Sequence, residues 1–116
     1  MTNLVSRDNA LRYQQWGDHC YSWAMVDEET LSVKLERMPP GTSEQKHFHR
    51  SANQFFFILK GKAIFEINDK KIMVNAQQGI HIRPMEKHKI CNAEDEDLEF
   101  ILSSQPSTRN DRINCE

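Results

Sequence analysis

The chain has five histidines, and four of them, His47, His49, His81 and His88, lie between positions 47 and 88. His47 and His49 form the sharpest pair. In an extended strand, residues i and i+2 share a face, roughly 7 Å apart at Cα. Two neutral imidazoles so placed can grip one metal ion from adjacent corners, and imidazole is the commonest metal ligand among side chains. Two unrelated loop histidines would have the same spacing. The pair alone therefore leaves both readings open.

A wider pattern surrounds the pair. Reading outward, Gly41 is followed by five residues, His47, one residue, His49, four residues, Gln54, six residues and Gly61. Further on come Pro84, His88 and, four positions after that histidine, Asn92. These residues resemble the two sequence motifs of the cupin superfamily, and in particular its small single-domain metal-binding members (cupin-2-like). In the first motif every spacing fits, and Gln54 stands where a Glu is usual. The second is looser. Met85 or Glu86 occupies the place of the usual turn glycine, and Gln77 or Gln78 that of the leading glycine. The resemblance covers roughly Leu31 to Leu102, most of the chain.

The resemblance implies an all-β fold, a double-stranded β-helix or jelly-roll barrel, in one domain. It also implies one divalent metal ion per protomer (Zn, Ni, Fe or Mn) in the barrel mouth. Carried over residue by residue, the ligands would be His47, His49, Gln54 and His88. Gln54 departs from the usual set of three His and one Glu, although a subset of cupins uses Gln as the oxygen ligand. Its other reading is an amide that supports the ligands or fills the core.

Such a ligand set has an electrostatic consequence. Three neutral imidazoles and an amide oxygen cancel none of a metal's 2+ charge, whereas a Glu would cancel one unit. The site would be a strong Lewis acid and would attract anions. Three function classes fit. The first is an isomerase or lyase that uses metal-assisted acid/base chemistry on a small anionic or sugar-like substrate. The second is a non-haem iron dioxygenase, although the 2-His-1-carboxylate triad is absent. The third is a non-catalytic metal- or ligand-binding module. Catalytic and substrate-binding residues are not identifiable from the sequence. Glu36 and Glu66 are the only acids inside strands near the motifs, and neither is obviously inward.

Other chemistry-bearing residues have plainer readings. His81 lies out of phase with Ile80 and Ile82 and is expected not to be a ligand. Arg37 is in phase with Val33 and Leu35. It could therefore point into the barrel as an anion clamp, since guanidinium matches carboxylate geometry; the alternative is a strand-end Arg in water. Tyr21 and Trp23 either line the mouth or pack under the first strand. Asp111 and Arg112 read as structural caps. Cys20, Cys91 and Cys115 form no close-spaced pair, which argues against a disulfide framework. Cys91 reads as a small filler residue.

Strands must position these residues. Leu31, Val33 and Leu35 alternate with Ser32, Lys34 and Glu36, the period of a half-buried strand. Phe55 to Leu59 is apolar on both faces. Ala63–Ile67 and Lys71–Val74 flank Asn68-Asp69, a dipeptide suited to a tight hairpin because both residues tolerate positive φ. Ile80–Arg83, Lys89–Cys91 and Leu98–Leu102 complete the set, with the acidic run from Glu94 to Asp97 as a solvated loop. Tyr21–Val26 is the expected first strand. A short helix within Val5 to Gln15 is the only helix suggested. Many short strands separated by turns suggest a sandwich or barrel. The expected division is an N-terminal arm (1–20), a barrel (21–102) and a polar tail (103–116) that lies over the barrel or is partly disordered.

Length and composition bound the rest. A chain of 116 residues is one domain by the length prior. The net charge of −2 provides no basic face for nucleic acid. No apolar run approaches the ~18 residues needed to span a bilayer, and Met1 to Arg12 has no apolar stretch of signal-peptide length. A cytoplasmic protein with a small-molecule ligand is expected. So is a homodimer, because Phe55, Phe57 and Leu59 would form an outward apolar stripe if Gln54, Phe56 and Ile58 face inward.

Overall fold

The computed structural model describes residues 3–115. In chain order the strands are β1 (Arg12–Trp16), β2 (Cys20–Asp27), β3 (Ser32–Met38), β4 (His47–Phe48), β5 (Asn53–Lys60), β6 (Lys62–Ile67), β7 (Lys70–Asn75), β8 (Gly79–Ile82), β9 (His88–Cys91), β10 (Leu98–Gln105) and β11 (Ile113–Asn114). One sheet runs β1-β2-β3-β10-β5-β8 and the other β11-β4-β9-β6-β7. Every paired neighbour is antiparallel. The two sheets face each other across a common core, as expected of a jelly-roll barrel.

The expected helix near the N-terminus is reduced to a 3-10 turn at Arg7–Asn9, and Arg12–Trp16 instead pairs with β2 as an edge strand. Aromatic contacts outweigh local preference here. Tyr13 stacks on Tyr21 at 5.7 Å and lies 5.5 Å from Trp23, ring centre to ring centre. The polar tail also lies against the barrel, where β11 pairs with β4. No helix among the described residues is long and apolar enough to cross a membrane.

Period-2 alternation sorts each strand into two faces. In β5, Gln54, Phe56 and Ile58 are buried, while Phe55 is exposed and Phe57 and Leu59 are half-buried. Phe56 meets Phe65 edge-on at 4.9 Å and lies 5.6 Å from Phe100. With Met38, Ile58, Ile82, Ile90 and Leu98 these residues form the core. Each such side chain contributes about 1.5–3 kcal/mol by leaving water.

In β3 the phase is the reverse of the one that would aim Arg37 inward. Ser32, Glu36 and Met38 are buried, whereas Val33, Leu35 and Arg37 lie on the outer side. Arg37 stands over the rings of Tyr21 and Trp23, 5.1 and 5.8 Å from their centres. The physical reason is that β3 walls a polar cavity, so its polar phase turns inward. Its apolar phase joins a cross-strand row on the outer face: Tyr13, Trp23, Leu35, Ile101 and Phe57.

The turns carry specific conformational demands. Asn68 and Asp69 both have positive φ, 48° and 70°, as a tight hairpin requires. Gln77 and Met85 also have positive φ, 69° and 72°, at the places where the motif comparison put a missing glycine. Both accept a conformation that glycine would adopt without strain. Gly61 sits at φ +88°, and a Cβ there would lie 2.9 Å from the Asp97 carbonyl oxygen and 3.3 Å from Leu98 Cα. Gly41 has φ +76° but open space around it. Gly41→Ala should therefore cost about 1 kcal/mol from backbone strain alone. Gly61→Ala should cost clearly more, since backbone must also move. Urea unfolding of both variants checks the order, and equal losses would contradict it.

Candidate metal centre

The first sheet supplies Gln54 and the second the histidines. His47 opens β4 and pairs directly with His88 at the start of β9. His49 is the first residue after β4. The backbone N–H of Met85 donates to the His49 carbonyl at 2.7 Å, which ties the turn before His88 to the His47–His49 segment. All three imidazoles are buried, with ring centres 4.9 Å (His47–His49), 4.4 Å (His47–His88) and 5.7 Å (His49–His88) apart. One nitrogen from each can be chosen so that all lie within 4.8 Å of one another, so the three could hold a metal ion.

The hydrogen bonds assign the tautomers. Nδ1 of His47 donates to the Gln45 carbonyl at 2.8 Å, Nδ1 of His49 to the Asp111 carbonyl at 2.6 Å, and Nδ1 of His88 to the Glu86 carbonyl at 2.8 Å. A carbonyl only accepts, so each proton must sit on Nδ1 and each Nε2 keeps its lone pair. The Nε2 atoms of His49 and His88 are buried without a partner, and so is Oε1 of Gln54. Gln54 Nε2 donates to Ser104 Oγ at 3.1 Å, which fixes the amide and leaves its oxygen free. Buried acceptors without partners are costly, about 1–3 kcal/mol each. A cation answers all three, so the donor set fits a metal.

Burial makes the imidazoles resist protonation. It pushes His47 down to about 3, with the neighbouring His88 acting in the same direction. It pushes His88 down to about 4, and it lowers His49 as well. Neutral imidazole is the form that binds metals.

A cavity of about 210 Å³ opens beside the cluster, lined by His47, His49, Gln54, Lys34, Glu36, Glu44, Arg112 and the ring of Trp16, among others. Glu36 is buried and its carboxyl is raised by burial, against the pull of Lys34, a hydrogen bond with Ser22 and Arg112. Glu44 is pushed up to about 8 by burial, and one of its oxygens accepts the Ile90 N–H at 3.2 Å. Of the two strand acids near the motifs, neither obviously inward from the sequence, Glu36 faces the cavity; Glu44, outside the strands, joins it there. Glu66 does not, being paired outside the cavity with Lys46 and Lys89 at 3.6 and 4.0 Å.

Other sequence candidates fall elsewhere. His81 is exposed and hydrogen-bonds Asn53 at 2.9 Å, away from the cluster. Arg37, Tyr21 and Trp23 lie on the outer face. Asn92 is a buried latch: its amide donates to the carbonyls of Met38 at 2.9 Å and Glu96 at 2.8 Å. Asp111 acts as a cap, its carboxylate accepting the N–H groups of Arg50, Ser51 and Ala52 at 2.8, 3.0 and 3.1 Å. Arg112 hydrogen-bonds Asn114 and, at long range, the Gln45 carbonyl, and it also lines the cavity. Lys34 and Glu36 had a signal, the polar phase of β3. Arg112 had none, because nothing in a polar tail shows where it will dock. The three cysteines are free.

The shifts determine how metal-free protein responds to pH. Imidazoles with lowered values contribute stability that is present above about 6.5 and lost as pH falls below it. Buried carboxyls with raised values contribute stability that is present below 4.5 and lost as pH rises, for Glu44 up to about 8. Three lowered imidazoles outweigh two raised carboxyls on the acid side, and above 6.5 the Glu44 contribution is still being lost, up to about 8. Chelator-treated protein should thus be most stable near pH 6.5. Each unbalanced proton changes stability by about 1.4 kcal/mol per pH unit. Urea midpoints measured from pH 5 to 8 check this, and a monotonic curve would contradict it.

The comparisons with known proteins agree with this architecture. The cupin domain family matches residues 34–104. An oxalate-binding protein from Thermotoga maritima is 32% identical over 78 residues, 67% of this chain and 64% of that protein. An uncharacterized protein from Methanocaldococcus jannaschii is 28% identical over 69 residues, 60% of this chain and 55% of that one. The chain thus spans less than two thirds of the length of the curated relatives it matches. Among solved structures, a conserved Klebsiella pneumoniae protein with a double-stranded β-helix domain superposes with a TM-score of 0.82 at 16% identity, covering 100% of this chain and 99% of that one. A predicted oxalate decarboxylase from Thermotoga maritima gives 0.81 at 19%, covering 90% and 99%. Two antiparallel sheets, a three-histidine cluster between them and a family match over most of the barrel lead to one conclusion: the chain belongs to the cupin family.

Proposed function

We propose that the protein holds one divalent metal ion through Nε2 of His47, His49 and His88 and Oε1 of Gln54, and that it binds a small carboxylate there for acid/base chemistry of the isomerase or lyase type. The observation that carries this reading is the set of buried acceptors without partners, two imidazole nitrogens and one amide oxygen, each oriented by a hydrogen bond at its other end. The metal, when bound, supplies Lewis acidity that polarises a carboxylate or carbonyl oxygen. The chain's own residues do the rest. Glu44, pushed up to about 8, holds its proton near neutral pH, which is the state a general acid needs, and burial shifts the Glu36 carboxyl in the same direction. The relative named for oxalate binding supports a carboxylate as ligand. It also favours a second reading, a binding module without turnover, since its name states binding only.

The neutrality of Gln54 is central to this reading. A carboxylate in its place would reduce the net charge of the metal centre from 2+ to 1+. Gln54→Glu should keep or tighten metal binding and weaken carboxylate binding about tenfold. If Gln54 only supports a ligand, Gln54→Ala should cost about 10–100-fold in metal affinity, as outer contacts typically do. Elemental analysis of protein purified without chelator should show about one metal per chain, absent from His47→Ala/His49→Ala. Calorimetric titration with acetate and oxalate follows the ligand. Wild type that is metal-free and cannot be loaded would overturn the reading.

We also propose that a second copy covers the outer face of the first sheet. Tyr13 and Phe55 are exposed there, 58% and 45%. The apolar row is flanked by Arg37, Glu99 and Lys60, so both charge signs occur on one face, as a self-complementary two-fold contact requires. Light scattering at micromolar concentration should give a dimer mass, and a monomer mass would rule it out.

A further inference from the structure

The histidines and Gln54 occupy one side of the cavity, and the remaining wall carries donors that the metal centre does not use. Arg112, just before β11, lines the same cavity as His47, His49 and Gln54. Its Nε donates to Asn114 Oδ1 at 2.9 Å and one terminal nitrogen makes a long contact, 3.4 Å, with the Gln45 carbonyl. No carboxylate lies within ion-pairing distance of it among the described residues. A guanidinium has five N–H donors in a planar fork, and most of this fork is uncommitted. Lys34 stands on the same wall from β3, and the indole N–H of Trp16, also in the lining, is buried without an acceptor.

We propose that Arg112 is the specificity-determining residue of this site: it takes the second carboxylate of a short dicarboxylate whose first carboxylate sits at the histidine cluster. The proposal rests on the metal reading above and adds the substrate class. The fork geometry of Arg matches a carboxylate with two parallel N–H···O bonds, which a lysine cannot reproduce. Size points the same way. A cavity of about 210 Å³ is below the roughly 300–1,000 Å³ of sites for drug-sized ligands, and a water takes about 30 Å³. It suits a ligand of a few non-hydrogen atoms with some solvent. Two acids, Glu36 and Glu44, share the wall and feel the Arg112 charge, and burial shifts both toward their neutral forms, which weakens their opposition to a dianion.

The tail that carries Arg112 is fixed for this role. Asp111 next to it caps three backbone N–H groups of Arg50, Ser51 and Ala52, and its carbonyl receives the Nδ1 proton of His49. The main chain that orients a histidine thus also sets the position of the guanidinium. Burial raises the Asp111 carboxyl, but the three N–H bonds outweigh it and hold the group below the usual carboxylate range.

The test uses full-length metal-loaded protein as wild type, Arg112→Gln and Arg112→Lys, titrated calorimetrically with malonate and with acetate. Metal content is measured on each sample. Wild type should prefer malonate by about tenfold or more. Arg112→Gln should lose that preference by weakening malonate about tenfold while acetate and metal content stay unchanged. Arg112→Lys, which keeps the charge without the fork, should fall between. An unchanged malonate-to-acetate ratio in Arg112→Gln would overturn the proposal and leave the metal reading intact. Loss of metal in Arg112→Gln would overturn it too, by making Arg112 a structural residue. Wild type that binds no metal at all would overturn the metal reading and, with it, this one.

Discussion

Three imidazoles packed against each other out of water must all be neutral, and each must have its one proton taken up. That constraint organises the open end of the barrel. Two protonated rings at 4.4 Å would repel in a medium that screens poorly. The chain meets the constraint with main-chain carbonyls, which cannot change protonation state. Gln45, Glu86 and Asp111 supply them from three separate segments. Each Nε2 is left as a lone pair. The same arrangement that makes the cluster tolerable as a buried structure makes it a ready ligand set.

The barrel serves this cluster by being chemically asymmetric. Phe56, Phe65, Phe100 and Met38 fill the interior with side chains that have nothing to satisfy. Around the cavity, strands of the same sheet turn polar residues inward: Ser22 on β2, Glu36 on β3, Gln54 on β5 and Ser104 on β10 are all buried. The switch costs no change in backbone. It is made by which phase of each two-residue period carries the polar side chain. The outer face receives the opposite phase, and so it carries the aromatic and aliphatic row from Tyr13 to Phe57.

The tail is the other structural decision. A polar segment could have stayed in solvent, but here its strand β11 pairs with β4 next to His47. Asp111 binds the loop that follows His49, Arg112 enters the cavity wall, and the Cys115 N–H bonds the Lys46 carbonyl at 2.8 Å. The barrel alone would leave the Nδ1 of His49 without its acceptor. The centre is therefore shared between the motif-bearing strands and the last residues of the chain.

Much of this is local and can be read from the order of residues. Strand alternation, the Asn68-Asp69 hairpin and the acidic loop from Glu94 to Asp97 depend on neighbours within a few positions, so period and turn chemistry reveal them. The spacing of Gly41, His47, His49, Gln54 and Gly61 also lies within one stretch, and it pointed to the histidine pair and the fold. What period cannot reveal is which phase faces in, because a half-buried strand reads the same from either side. For β3 the tertiary structure chose the polar phase, turning Glu36 inward and Arg37 outward, since the cavity needed polar walls. Nor can period show where a polar tail docks. The placement of Asp111 on His49 and of Arg112 beside the cavity comes from contacts across about sixty positions of chain, which exist only once both sheets have closed.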